Sequence, residues 1–254
     1  MKTSGAGASR HASVLNITGA AALFGFIIYL ALWRLTTRTG WESVASYSRL
    51  FWSGWLGTLG LASAALVVST VFGLLLAFGR RAPWLPIRAL CTVHVELIRG
   101  TPLLGQILIL YYGIFHLAGL ENRIVGSVLI LSNFAGAYLS EIIRGGIESV
   151  GASQLESARA IGFTTAQTYR FVIFPQALRQ ILPPLAGQFA SLIKDSSLLS
   201  IIGFEELSQN AQQVASFTYS NLESYVPLAM GYLILTLPIS LWSRWLESRA
   251  KFET

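Results

Sequence analysis

Long uncharged stretches alternate with short clusters of arginine and glutamate along this chain. Uncharged runs of spanning length occur at Ala12–Trp33, Leu50–Gly79, Gly100–Leu120 and Ser224–Ser243. Ile124–Ser140 is shorter, but it extends past Glu141 through Ile142 and Ile143. Ile181–Gly203 is apolar except for Lys194 and Asp195 near its middle. About 20 predominantly apolar residues cross a bilayer core as a helix. These runs are continuous and do not alternate with period two, which predicts helices and not barrel strands. The expected fold is all-α, a polytopic membrane bundle of about six helices.

Composition supports the bilayer. Of 254 residues, 53% are hydrophobic and 12% charged, with mean hydropathy +0.57. Soluble domains carry about 25% charged residues, so much of this surface needs lipid to hide it. High apolar content and the lack of a like-charged block exclude disorder. The single cysteine, Cys91, excludes an internal disulfide framework and a multi-cysteine zinc site.

Net charge is +6 and the isoelectric point about 9.7. In a soluble protein that balance would point to nucleic acid; here the placement of the charges matters more. With the N-terminus inside, twelve basic residues are cytoplasmic: Lys2, Arg10, Arg80, Arg81, Arg88, Arg144, Arg159, Arg170, Arg179, Arg244, Arg249 and Lys251. Four lie opposite: Arg34, Arg38, Arg49 and Arg123. The positive-inside rule then predicts two cytoplasmic termini. Leu32-Trp33-Arg34-Leu35 offers no small-residue cleavage pattern, so the first run reads as a retained helix and not a signal peptide. The expected organisation is a tail and helix in 1–40, then one membrane domain in 41–254.

The segment 144–180 is orderly for a loop. Gly145-Gly146 is expected to break the preceding helix, and Ser153 to cap the next one, with Glu156 completing a capping box. Leu155, Ala158 and Ile161 recur at three-residue spacing and predict a short helix with an exposed apolar stripe. Gly162 should end it, and Phe163-Thr-Thr165 should start another helix towards Pro175.

Here the chain resembles a known family. Glu156-Ser157-Ala158-Arg-Ala-Ile-Gly162, nine residues, then Val172-Ile173-Phe174-Pro175 is similar to the EAA loop of ABC-importer permeases. Glu156, Ala158, Gly162 and Pro175 match that pattern outright, with the spacing intact. Val95–Leu104, Gly136–Ile147 and Leu192–Leu198 resemble the polar amino-acid permeases of the histidine/glutamine type. The likeness covers roughly residues 54 to 248. Members commonly have five spans, so the Ala12–Trp33 helix looks like an N-terminal addition.

The resemblance implies a type I importer in a bacterial inner membrane. Two permease subunits, identical or related, would form the pore. Each loop would seat a coupling helix on a dimeric cytoplasmic ATPase, and an extracytoplasmic amino-acid-binding protein would deliver the solute. Glu156, Ala158, Arg159, Gly162 and Pro175 are the implied coupling residues. ATP and magnesium would belong to the ATPase, because this chain offers no Walker A loop. Its lysines are Lys2, Lys194 and Lys251, and none follows a glycine. No cofactor, metal or nucleic acid is expected in this chain; lipid is.

The remaining charges near the spans are candidates for the path or its gate. Lys194 and Asp195 point about 100° apart on a helix, so they do not simply neutralise each other; intramembrane charges mark either pathways or links between helices. Glu96 and Arg99, three apart, are expected to pair ahead of the helix-bending Thr101-Pro102. Glu141 and Arg144 repeat that spacing. A structural pair is the simpler reading of each, and a gate or a carboxylate contact the sharper one.

Two competing readings are weaker. An intramembrane enzyme would need a nucleophile and base or paired metal ligands, and neither Gly-x-Ser-x-Gly nor His-Glu-x-x-His occurs. An ion-driven carrier or channel would leave the ordered loop unexplained. A permease for another small solute, such as an opine or a peptide, stays open.

Overall fold

The computed structural model describes residues 40–250, preceded by 22, 23, 25, 26, 29, 30 and 33. Most of the expected Ala12–Trp33 helix, the 1–40 segment and the last four residues lie outside the described residues. Ten α-helices follow in order: α1 (Trp41–Ala45), α2 (Ser48–Gly79), α3 (Leu85–Gly100), α4 (Leu103–Leu108), α5 (Arg123–Glu148), α6 (Ala152–Ala160), α7 (Thr165–Thr168), α8 (Phe174–Asp195), α9 (Leu207–Thr218) and α10 (Asn221–Ala250). No strand occurs among the described residues.

Three helices, α2, α5 and α10, are individually long and apolar enough to cross a membrane. A fourth candidate is broken: α3 and the segment Leu103–Phe115 meet at 112°. The bend falls at the start of the apolar run Gly100–Leu120, which is helical from 103 to 117. Thr101 sits in extended backbone (φ −120°, ψ 147°), where the ring of the following Pro102 confines it. Gln106 repairs the break. Its Nε2 donates to the Ile98 carbonyl at 2.7 Å, the Thr101 carbonyl at 3.2 Å and Thr101 Oγ1 at 2.9 Å, satisfying acceptors that a helix end leaves open.

The tightest packing joins α2 to α5, and small residues allow it. Ala62, Ala65, Ser69, Ser132, Ala135 and Ala137 are buried, and Ser132 Oγ donates to the Ala65 carbonyl at 3.2 Å. A Cβ on Gly73 would lie 2.7 Å from Leu139 Cβ, and one on Gly136 would lie 2.7 Å from Phe72 Cδ1. Within a membrane, close backbone approach of this kind replaces hydrophobic burial as the source of helix association. Leu61 of α2, Ile107 of α4, Ile130 of α5, Ile193 of α8 and Leu235 of α10 close one core.

Two expectations need correction. Gly145-Gly146 does not end α5, which runs on to Glu148. Gly146 instead lets α8 come close: an added Cβ would strike Ile181 and lie 3.2 Å from the Ala177 carbonyl. The run Ile181–Gly203 is displaced, since α8 starts at Phe174 and a tight 3-10 segment, Ser196–Ile202, replaces its last part. Lys194 and Asp195 sit where α8 passes into that 3-10 segment. After Gly203 the chain folds into α9.

Candidate functional site

Two ends of the bundle carry the polar chemistry. One end bears the loop between α5 and α8, and is called the loop end below; the far end bears α9.

At the loop end, α6 begins after Gly151, with no side-chain cap, so Ser153 lies inside the helix and Glu156 closes no capping box. The capping box falls one helix later. Thr164 N donates to Gln167 Oε1 at 2.8 Å and Gln167 N to Thr164 Oγ1 at 3.3 Å. Between the two helices Gly162 takes φ +80°. Its N–H donates to the Arg159 carbonyl, and Phe163 N–H to the Ala158 carbonyl, both at 3.0 Å. Those paired bonds form a Schellman cap, which requires a left-handed residue at the glycine position.

The stripe expected to be exposed is split between two environments. Leu155 packs on a small cluster formed by Val150, Ile173 and Ala177, and Ala158 is buried. Ile161, by contrast, is 70% exposed. The reason is local: after α7 the chain passes through a wide π-helical turn, Tyr169–Ile173, into α8, which folds the loop back onto α6. Ala158 is thus small because it faces its own loop. Glu156, Arg159 and Ile161 face outward, and Pro175 sits in the first turn of α8, directly after the π-helical turn Tyr169–Ile173.

Behind this loop lies a charge network. Glu141, on α5, accepts from Arg144 Nη2 at 2.7 Å and Nε at 3.3 Å, as the spacing predicted. It also accepts from Arg80, at the end of α2. Arg99 Nη1 lies 3.7 Å from the same carboxylate, with its guanidinium over the Tyr138 ring. The expected Glu96–Arg99 pair is therefore replaced: Arg99 turns across to α5, where Glu141 is available, and Glu96 is exposed with no ion pair among the described residues. Glu148 completes the network through Arg144 and through Arg81 at 3.6 Å. No local spacing points to Arg80 as a partner, since it lies 61 residues from Glu141 along the chain.

Lys194 is exposed on the last turn of α8, and Asp195 beside it is half-buried. Neither forms an ion pair within the chain among the described residues. The exposed side of Lys194 faces away from this subunit's own core.

The far end holds a buried carboxylate that the sequence reading passed over. Glu206 is fully buried and caps α9, accepting from Gln209 N at 2.8 Å, Tyr232 Oη at 2.6 Å and Thr58 Oγ1 at 3.3 Å. Burial pushes its carboxyl up, against the pull of those donors. Thr58 in turn accepts from Leu207 N at 3.1 Å, and Asn210 Nδ2 donates to the Leu50 carbonyl at 2.8 Å. These bonds tie α9 to α2 and α10. An acidic residue just before a helix is a capping signal, and it stands here as Glu205-Glu206-Leu207.

The described residues form a multi-helix bundle with an ordered, glycine-capped loop at one end and a polar clamp at the other. Comparisons with known proteins specify its family. Residues 69–252 match the family model described as binding-protein-dependent transport system inner membrane component. The chain is 36% identical over 201 residues to the probable glutamine ABC transporter permease protein GlnM of Bacillus subtilis, covering 79% of this chain and 93% of GlnM. It is 36% identical over 200 residues to the glutamine transport system permease protein GlnP of Escherichia coli K12, covering 78% and 89%. Among solved structures, a chain from the crystal structure of an amino acid ABC transporter with histidines superposes with TM-score 0.78 at 36% identity, over 82% of this chain and 98% of that one.

The chain belongs to the inner-membrane components of binding-protein-dependent transport systems. It is a multi-pass permease subunit of the ABC-importer class, a class in which permeases work with an ATPase and a second permease subunit.

Proposed function

We propose that this chain carries a polar amino acid of the glutamine class through the inner membrane, as one of two pore subunits. In this reading the loop from Glu156 to Pro175 seats the ATPase, which binds ATP and magnesium, and a separate solute-binding protein delivers the amino acid at the far end. The observation that carries the coupling role is the left-handed Gly162 in its Schellman cap, which turns α6 so that Glu156, Arg159 and Ile161 face outward at the loop end. Two glutamine permeases at 36% identity support the solute class.

The test is reconstitution with the ATPase and binding protein in proteoliposomes. Glutamine should stimulate ATP hydrolysis and accumulate, whereas a sugar should do neither; stimulation by an opine or a peptide alone would replace the solute class. In the same assay, Lys194→Met and Asp195→Asn should lower uptake while the complex still purifies. Their place at the end of α8, exposed and half-buried without an internal ion pair, supports a path or subunit-interface role. Loss of the assembled complex with each substitution would make them structural.

Orientation follows from the charge count. Placing the loop end in the cytoplasm puts Arg80, Arg81, Arg88, Arg144, Arg159 and Arg170 on the inner side. In a Cys91→Ser background, a cysteine at Asn122 should react with an impermeant maleimide in intact cells. Cysteines at Thr3 and Thr254 should be protected. Reaction at residue 3 with protection at 254 would give five spans in place of six.

A further inference from the structure

The geometry points to a phospholipid site: a recess at the loop end, built on Arg81, Arg88 and Arg144, that takes the phosphate of an anionic lipid headgroup. The recess, about 470 Å³, lies between the ends of α2 and α5 and one face of α3. Leu85, Arg88 and Thr92 come from that face at helical spacing, Arg80 and Arg81 from the end of α2, and Arg144 from α5. Four guanidiniums, those of Arg80, Arg81, Arg99 and Arg144, pair with two carboxylates, Glu141 and Glu148, and Arg88 adds a fifth positive charge to the lining of the recess. Arg80 and Arg144 are held by Glu141. Arg88 is exposed and has no ion pair among the described residues, and Arg81 reaches Glu148 only at 3.6 Å. The network is left with excess positive charge, and its free cations line the recess.

Depth in the membrane chooses the ligand. The recess opens where two apolar spans end, at Gly79 and Glu148, which is where lipid headgroups lie. Beside it α3 shows Leu85 63% and Val93 57% exposed, a surface for the glycerol and upper acyl chain, and the 64%-exposed Trp84 suits the same interface. Guanidinium forks match phosphate oxygens bidentately, and basic pockets between spans are a recognised mode of binding acidic lipid. A free phosphate would engage the arginines but leave the apolar wall unused. The inference rests only on this chain's membrane location, not on its solute or on the coupling role of the loop.

The test uses the assembled transporter, purified in mild detergent from mixed phosphatidylglycerol and phosphatidylcholine, with retained lipid measured by mass spectrometry. The wild type should retain phosphatidylglycerol selectively, and Arg81→Ala/Arg88→Ala should retain about tenfold less, since each basic group near the surface counts for several-fold in binding acidic lipid. The single variant Arg88→Glu removes no ion pair, so it should fold normally, with an unchanged melting temperature and most of the same loss. Equal retention by wild type and Arg88→Glu would overturn the site. Displacement of the lipid by millimolar inorganic phosphate would overturn the lipid and leave a simple anion site.

Discussion

Replacing Gly162 by valine should uncouple the ATPase from the pore while the subunit still inserts. No heavy atom lies within 4 Å of the position a Cβ would take, so the effect is not a clash. It comes from the backbone, where φ +80° is hostile to a β-branched side chain and costs about 1–3 kcal/mol. The cheapest relief is to unwind the Schellman cap, giving up the bonds to the Arg159 and Ala158 carbonyls and rotating α6 away from its seat. Because about 1.4 kcal/mol is tenfold in an equilibrium, ATPase retained on an affinity column should fall by about ten- to a hundredfold, or solute-stimulated hydrolysis should persist without uptake. Gly162→Asn provides the control, since asparagine tolerates the left-handed region and should keep most of both activities. Normal retention, stimulation and uptake for the valine variant would remove this loop from the coupling machinery.

Glu141→Ala should be the most destabilising single substitution in the charge network, by about 3 kcal/mol. Its side chain is 15% exposed and that of Arg80 13%, so removing the carboxylate leaves a largely buried guanidinium without its counter-charge. Removing one partner of a buried pair is far costlier than the pair is worth. Arg99→Ala sets the scale from the other side: at 3.7 Å and 36% exposed its contact resembles a surface pair, worth about 0.5 kcal/mol. Thermal unfolding of the purified complex should separate the two variants clearly, with Glu141→Asp falling between them. Similar melting temperatures for Glu141→Ala and Arg99→Ala would mean that Glu141 is not the hub.

The same network marks where sequence reading stopped. Glu141–Arg144 was legible because both residues lie on one helix, three apart. Glu96–Arg99 had the identical spacing and failed, because a nearby carboxylate on α5 offered Arg99 a partner that no local rule could see. The loop divides in the same way. Its helices and the left-handed glycine followed from capping chemistry and the motif, yet the cap fell on Thr164 and not on Ser153. A hydroxyl caps only where the preceding chain turns suitably, and that turn depends on how the loop folds back through Tyr169–Ile173.

From its residues alone the chain fixes its solvent, its helical class, the break at Thr101-Pro102 and the turn at Gly162. Each of these follows from properties a residue carries wherever it sits: apolar length, a missing N–H, a missing Cβ. Tertiary structure alone decides which face of α6 is free, which arginines reach Glu141, that Lys194 ends a helix, and that Glu206 is buried under α9. Those outcomes depend on distances between residues far apart in the chain, and such distances exist only once Gly73 and Gly136 have let α2 and α5 close on one another.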